Sequence, residues 1–290
     1  MRGRMLCNDE EAGARGFVGH ECARRRAVLR ETIGAFERAD PANAYHDLAL
    51  RNLARWREQS NHASAGFKVE VLPGDWGEVT RSLTATYGEC FAVLNMANPY
   101  VPGGAYVEGA VAQEENMFRR TDCHFQVGHE DYDPTTDCYH PEKTRLLLAQ
   151  DGRVYLDSRR PRVCIRGPED RTCPRLGYPW LAEDEVFPFF ELRASAQDLR
   201  GGRTFSETEA RRRIVAQFDT LEADGIRHVV FGAFGCGAFK NPADRIAEIY
   251  RDEIRQRTSH FDVVAFAIFH AGYGPNNFLP FQESLRDLGR

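Results

Sequence analysis

No apolar run in this chain approaches the roughly 18 residues that a membrane-spanning helix needs, so no such helix is expected. No Cys-x-x-Cys pair occurs among its eight cysteines (Cys7, Cys22, Cys90, Cys123, Cys138, Cys164, Cys173 and Cys236), which removes the spacing of a zinc ribbon or a thioredoxin-type site. A chain of 290 residues needs no disulfides to hold a core, and the thiols read as reduced. Positive charge is not in excess. The formal net charge of −5 argues against nucleic-acid binding by counterion release. The basic runs Arg24-Arg25-Arg26 and Arg211-Arg212-Arg213 fall at helical spacing and read as solvated faces or carboxylate partners. The stretch from Met1 to Val18 lacks a signal-peptide core, so a cytoplasmic location, or export without a Sec signal, is expected. Internal repeats and low-complexity tracts are also lacking.

What is present alternates. Apolar positions at helical spacing from residue 20 to 59, interrupted at Asp40-Pro41, predict two or three helices, and residues 60–66 mark a junction. The spacing then predicts strands at 67–72, 90–95, 154–156, 162–166, 187–192, 227–231 and 263–269, with helices at 78–87, from Glu115 to about Cys123, at 206–223 and from Asn241-Pro242 to Arg255. Ser206 and Glu209 have the spacing of a capping box. Strands alternating with helices imply a layered α/β domain with its ligand at the carboxyl ends of strands. Residues 1–65 are expected as a helical extension and 66–290 as the ligand-binding, catalytic domain. Two glycine loops leave such strand ends.

The first loop runs Pro102-Gly103-Gly104-Ala105 and leads to Gln113-Glu114-Glu115 at a helix start. Glycines permit positive φ and close backbone approach, and free amides at a helix N-terminus suit an anionic ligand. Two adjacent carboxylates cannot both face one point. One can hold hydroxyls while the other, with its acidity weakened by partial desolvation, meets a scissile bond as a general acid. The plainer alternative is a solvated Glu-Glu pair favoured by the helix dipole. The second loop is Gly232-Ala233-Phe234-Gly235-Cys236-Gly237-Ala238-Phe239. Between the loops, Cys123, His124, His129, Cys138 and His140 fit no zinc template, and no metal or cofactor is expected.

The pair of loops, preceded by the strand end Asn95-Met96-Ala97-Asn98, resembles the macrodomain superfamily, and within it the microbial-type poly(ADP-ribose) glycohydrolases, over about residues 67–270. The resemblance implies a three-layer α/β/α macrodomain with a mixed central sheet and an N-terminal helical layer. It implies that Gly103, Gly104 and Ala105 lie along the distal ribose and diphosphate, that Gln113 and Glu114 position ribose hydroxyls, and that Glu115 is the catalytic proton donor. Asn98, or alternatively Asn95, falls at the ribose contact, and Gly235, Cys236, Gly237, Ala238 and Phe239 at the diphosphate loop. Asp75 follows as an acceptor for the adenine amino group, or simply as a helix cap.

Two features depart from the family. Its third loop glycine is Ala105 here, where a methyl crowds the sugar or demands negative φ. Asp122 lies seven residues after Glu115, which on one continuous helix puts both on one face, as either a salt-bridge partner of Arg119 or a second catalytic carboxylate that orients a guanidinium leaving group. That pattern is similar to effector-type macrodomain hydrolases acting on ADP-ribosylated arginine of ubiquitin. The expected activity is therefore removal of ADP-ribose from a modified protein, with ADP-ribose and that protein as partners and neither nucleic acid nor membrane involved. Cleavage of poly(ADP-ribose) and non-catalytic ADP-ribose binding are the alternatives. Phe189, Phe190, Arg193, Asp198 and Arg200 are candidates to line the approach, which core packing and surface ion pairing explain equally well, and His270, Tyr273 and Phe278 to meet adenine, although a buried aromatic at such a strand end is commonly just core.

Overall fold

The computed structural model describes residues 15–39, 43–60, 66–128, 130–270 and 274–288. In chain order the elements are helices α1 (Arg15–Ala39) and α2 (Ala44–Gln59), strand β1 (Lys68–Pro73), α3 (Trp76–Tyr87), β2 (Ala92–Met96), α4 (Gln113–Arg120), short strands β3 (Tyr132–Asp133) and β4 (Cys138–Tyr139), α5 (Pro141–Leu147), β5 (Tyr155–Leu156), β6 (Arg162–Cys164), β7 (Phe187–Ala194), α6 (Glu207–Ala223), β8 (His228–Phe231), α7 (Ala243–Arg255), β9 (Val263–Ile268) and α8 (Phe278–Leu285). The main sheet has the order β1-β9-β8-β2-β7-β5, and β6 also pairs with β7. From β1 to β7 the strands in that order are parallel, while β5 and β6 run antiparallel to β7, so the sheet is mixed.

Side-chain alternation along the strands makes the layers. Ala92, Leu94, Val229, Phe231, Val264 and Phe266 face one side, where they pack with Phe218, Tyr250 and Phe281 of α6, α7 and α8. Phe91, Val93, Val230, Val263 and Ala265 face the other, against Trp76, Leu83, Met117 and Phe118 of α3 and α4. Each fully buried large apolar side chain contributes about 1.5–3 kcal/mol, so two such faces hold the sheet between helical layers. The N-terminal helices share this core. Leu29 and Trp56 join the second face, and Ala35, Phe36 and Ala49 cluster with Val163, Ile165 and Val186. Asp40-Pro41 and most of the expected junction, residues 61–65, lie outside the described residues.

Two local expectations need correction. Helix α4 ends at Arg120 because Thr121 is extended (φ −134°, ψ 176°), bridges Cys164, and accepts the Cys123 amide at 3.2 Å to start a separate 3-10 turn. At the start of α6, Ser206 Oγ accepts the Glu209 amide at 3.3 Å, but the Ser206 amide donates to Gln197 and the Glu209 carboxylate takes Arg212 and Arg213. The N-cap forms without the reciprocal half of the box.

Candidate active site

Strands β2 and β8 are parallel neighbours, so the chain leaves both at the same edge of the sheet. This starts the segments leading to both glycine loops side by side; a Cβ added at Gly232 would sit 3.3 Å from Met96 Cε at the end of β2. In the first loop Gly104 has φ +58°, and a Cβ there would collide with the Glu115 carboxyl and crowd that of Glu114. Glycine is needed on both counts. Ala105 adopts no positive φ, so its backbone accepts a side chain, and its amide donates to Glu115 Oε1 at 3.1 Å. Glu114 Oε2 accepts the Asn98 amide at 2.7 Å, while Asn98 Oδ1 accepts from the amides of Tyr100 and Val101.

These contacts put both carboxyls against the loop, with Glu114 buried and Glu115 half-buried. Burial and then the neighbouring Glu115 charge hold the Glu114 carboxyl well above its ordinary value, against the Asn98 amide and Arg193. Burial also raises Glu115; its own amide, that of Ala105 and the Arg119 charge oppose the rise, and Glu108 adds to it. The pair therefore resists carrying two charges, the condition under which a carboxyl keeps a proton to donate.

The second loop is tied at its base. Asn241 Nδ2 donates to Gly235 O at 3.0 Å and to Gln197 O at 2.7 Å, and Gly235 (φ +73°) has no space for a Cβ between Ala196 and that amide. Gly237 and Ala238 are exposed, and their amides have no hydrogen-bond acceptor among the described residues. Cys236 is buried with its thiol toward Phe234 O, and burial pushes that thiol up, leaving only its backbone for a ligand. Phe239 is half-buried under the Arg200 guanidinium, which stands 5.0 Å from the ring centroid and is paired with Asp198.

Other candidates have different work. Asn95 is wholly buried and donates to Glu191 Oε1 at 2.7 Å, so Asn98 is the asparagine at the loop. Gln113 bridges α4 to β2, accepting from the Met96 amide at 3.0 Å and donating to Leu94 O at 2.8 Å. Each end of its carboxamide thus serves the backbone once. Asp75 caps α3 through Oδ1, which takes the Gly77 and Glu78 amides and also Arg120 Nη1 at 2.7 Å.

Asp122 is the main correction. It is buried beyond the end of α4, accepts the Val163 amide at 2.8 Å and lies 3.0 Å from His46 Nε2, beside a cavity of about 40 Å³ lined by Phe36, Phe125 and Arg160. It shares no helix face with Glu115 and pairs with neither Arg119 nor the loop. Phe189 and Arg193 are wholly buried; Arg193 and Arg162 clamp Glu191, which against its burial they hold down at about 2. Phe190 and Phe278 pack against the core, and Tyr273 lies outside the described residues. The reading of the sequence missed Phe269. Its ring is 59% exposed just past β9, beside the β1 end where the Gly74 amide donates to Ile268 O, so it stands at the same edge as Asp75. An aromatic closing an otherwise buried strand was the available signal.

A mixed sheet between helices, with two glycine loops at one edge, is the fold of a PARG-like macrodomain, PARG denoting poly(ADP-ribose) glycohydrolase. Residues 28–155 match the family model described as microbial-type PARG, catalytic domain, and on that model the chain is a hydrolase of the ADP-ribosylglycohydrolase type. The poly(ADP-ribose) glycohydrolase of Thermomonospora curvata superposes with a TM-score of 0.61 at 23% identity, over 90% of this chain and 98% of that one. With the inhibitor ADP-HPD bound, that protein gives 0.59 at 23% identity, over 89% and 98%. The Deinococcus radiodurans glycohydrolase in complex with ADP-ribose gives 0.56 at 21% identity, over 85% and 92%. No curated protein matches the chain.

Proposed function

We propose that this protein is a poly(ADP-ribose) glycohydrolase that grips an ADP-ribose unit between its glycine loops and opens the ribose–ribose bond with Glu115 as the acid. The observation that carries this reading is the placement of both carboxyls against Gly104 at the edge shared by β2 and β8. Oriented backbone amides at Gly237 and Ala238 suit a diphosphate, and being set before the ligand arrives they need no reorganisation. Phe239 packs on the distal ribose, while Phe269 and Asp75 offer a face and an acceptor for adenine. Glu115 gives its proton to the glycosidic oxygen as the bond to the anomeric carbon breaks, with the electron pair leaving on that oxygen. Water adds to the oxocarbenium-like carbon, and the proton it releases restores the acid. Glu114 keeps the Asn98 turn closed behind the sugar and meets its hydroxyls.

Arginine-linked ADP-ribose on ubiquitin loses its support, since Asp122, the carboxylate meant to orient a guanidinium, is buried away from Glu115. Incubation with poly(ADP-ribose) and with Arg-, Glu- and Ser-linked ADP-ribosyl peptides, followed by mass spectrometry, tests the assignment. Free ADP-ribose from the polymer is expected, falling by about 10²-fold or more in Glu115→Gln. Release from arginine-linked peptide alone would overturn the polymer reading, and tight ADP-ribose binding without product would make the protein a binding module.

A further inference from the structure

Helix α4 carries a guanidinium that the reaction above does not use. Arg119 is wholly buried, and its Nε donates to Tyr178 Oη at 3.0 Å. Both of its terminal nitrogens are buried without a hydrogen-bond partner among the described residues. Such a group is expensive to keep, since a buried cation normally survives only when paired. Its anchor is firmly built. Tyr178 Oη accepts from Arg119 Nε and Asn116 Nδ2 and donates to Glu169 Oε2 at 2.7 Å, so its hydroxyl is saturated. Glu169 is in turn clamped by Arg25 of α1, at 3.0 Å from Nε to Oε2 and 2.7 Å from Nη2 to Oε1.

Arg119 also stands four residues after Glu115, one turn along the same helix face. Among the largest influences on Glu115 are the Arg119 charge, which favours its carboxylate, and Glu108 from the glycine loop, which opposes it; Glu114 is its chain neighbour. We propose that Arg119 is a positioning residue for Glu115: its buried guanidinium, held through Tyr178, Glu169 and Arg25, stabilises the carboxylate left when Glu115 gives up its proton. Helix α1 thereby belongs to the catalytic apparatus rather than to a detachable extension. The proposal rests on the reading of Glu115 as the proton donor.

Two measurements on the full chain test it. Carbon-13 NMR follows the Glu115 carboxyl through pH in the wild type, Arg119→Gln, Arg119→Lys and Tyr178→Phe, the signal being assigned by its loss in Glu115→Gln. In parallel, kcat and KM on poly(ADP-ribose) are recorded against pH. Removing the cation should raise the Glu115 midpoint by about half a pH unit or more and move the basic limb of kcat upward with it, with kcat lower and KM within about twofold. Arg119→Lys should restore most of the midpoint. Tyr178→Phe, which keeps the ring in its packing with Val28 and Leu176, should shift it in the same direction and decides the matter if Arg119→Gln does not fold. An unmoved midpoint in folded Tyr178→Phe and Arg119→Gln would overturn the proposal. A wild type that titrates as expected but leaves the polymer uncut would instead fail the glycohydrolase reading, because the titration does not depend on turnover.

Discussion

Glu114 and Glu115 are chemically identical neighbours that the fold treats differently, one shut in beneath the Asn98 turn and the other half-open at the glycine loop. The raised pKa of Glu114 has a consequence for stability. The folded state holds its proton above the ordinary value of 4.5, so the unfolded state releases it first, and stability falls as pH rises from that value through the raised one. Glu114→Gln should therefore melt progressively higher than wild type as pH is raised from 4 to 8. Parallel melting curves across that range would mean that the carboxyl ionises freely in the fold. At Gly104, the left-handed φ and the collision of any Cβ with Glu115 act together. Gly104→Ala should stay folded at a cost of about 1 kcal/mol while its turnover drops by about 10²-fold, which denaturant melts and initial rates check. Glu114, Glu115 and Gly104 were legible because loop and carboxylates are close in sequence. Asn95 carried a readable signal too: a period of two places it with Phe91 and Val93 on a buried face, and that outweighs its likeness to a ligand contact.

At the scale of elements, α4 shows how one residue reassigns another. Helical spacing continued past Arg120 puts Asp122 in line with Glu115, but Thr121 turns extended, caps the next turn and drops Asp122 against Val163 and His46. Asp122→Ala should lose about 1–3 kcal/mol of stability, because the buried Val163 amide is left unpaired, and keep kcat on poly(ADP-ribose) within about threefold at a temperature where the variant is folded. A collapse of kcat with stability intact would return Asp122 to the chemistry. The long, regular elements were legible throughout: α6, α7 and the strands of the parallel sheet lie within a few residues of their expected bounds. The region from residue 125 to 152 was not, since its two-residue strands and short helix α5 are held by distant partners, such as the Tyr139 amide donating to Tyr100 O at 2.6 Å and the Thr144 hydroxyl to Pro99 O at 2.8 Å.

For the molecule as a whole, the site depends on strand order. β2 and β8 are far apart in the chain and adjacent in the sheet, and only that adjacency lets both loops leave the sheet at one edge, where the proposed diphosphate would lie. A ligand that bridges them links their stabilities. ADP-ribose at about a hundred times its Kd should add about 2.7 kcal/mol to unfolding, seen as a rise in Tm, and this rise should fail in Gly235→Val, whose side chain has no room between Ala196 and Asn241. A full ADP-ribose response in that variant would place the ligand elsewhere. The sequence by itself determined the local parts: an α/β alternation, two loops of small residues at strand ends, an acid pair at a helix start and a Ser206 cap, because each depends on residues within a few positions of one another. The tertiary structure alone decided that the two loops leave one edge of the sheet, that Asn95 and Asp122 are buried with partners from other elements, that helices α1 and α2 share the core, and that the terminal nitrogens of Arg119, one helical turn from Glu115, lie buried without partners among the described residues. Those outcomes are set by strand order and burial, and burial is what gives a charge its energy, through neighbours no local pattern names.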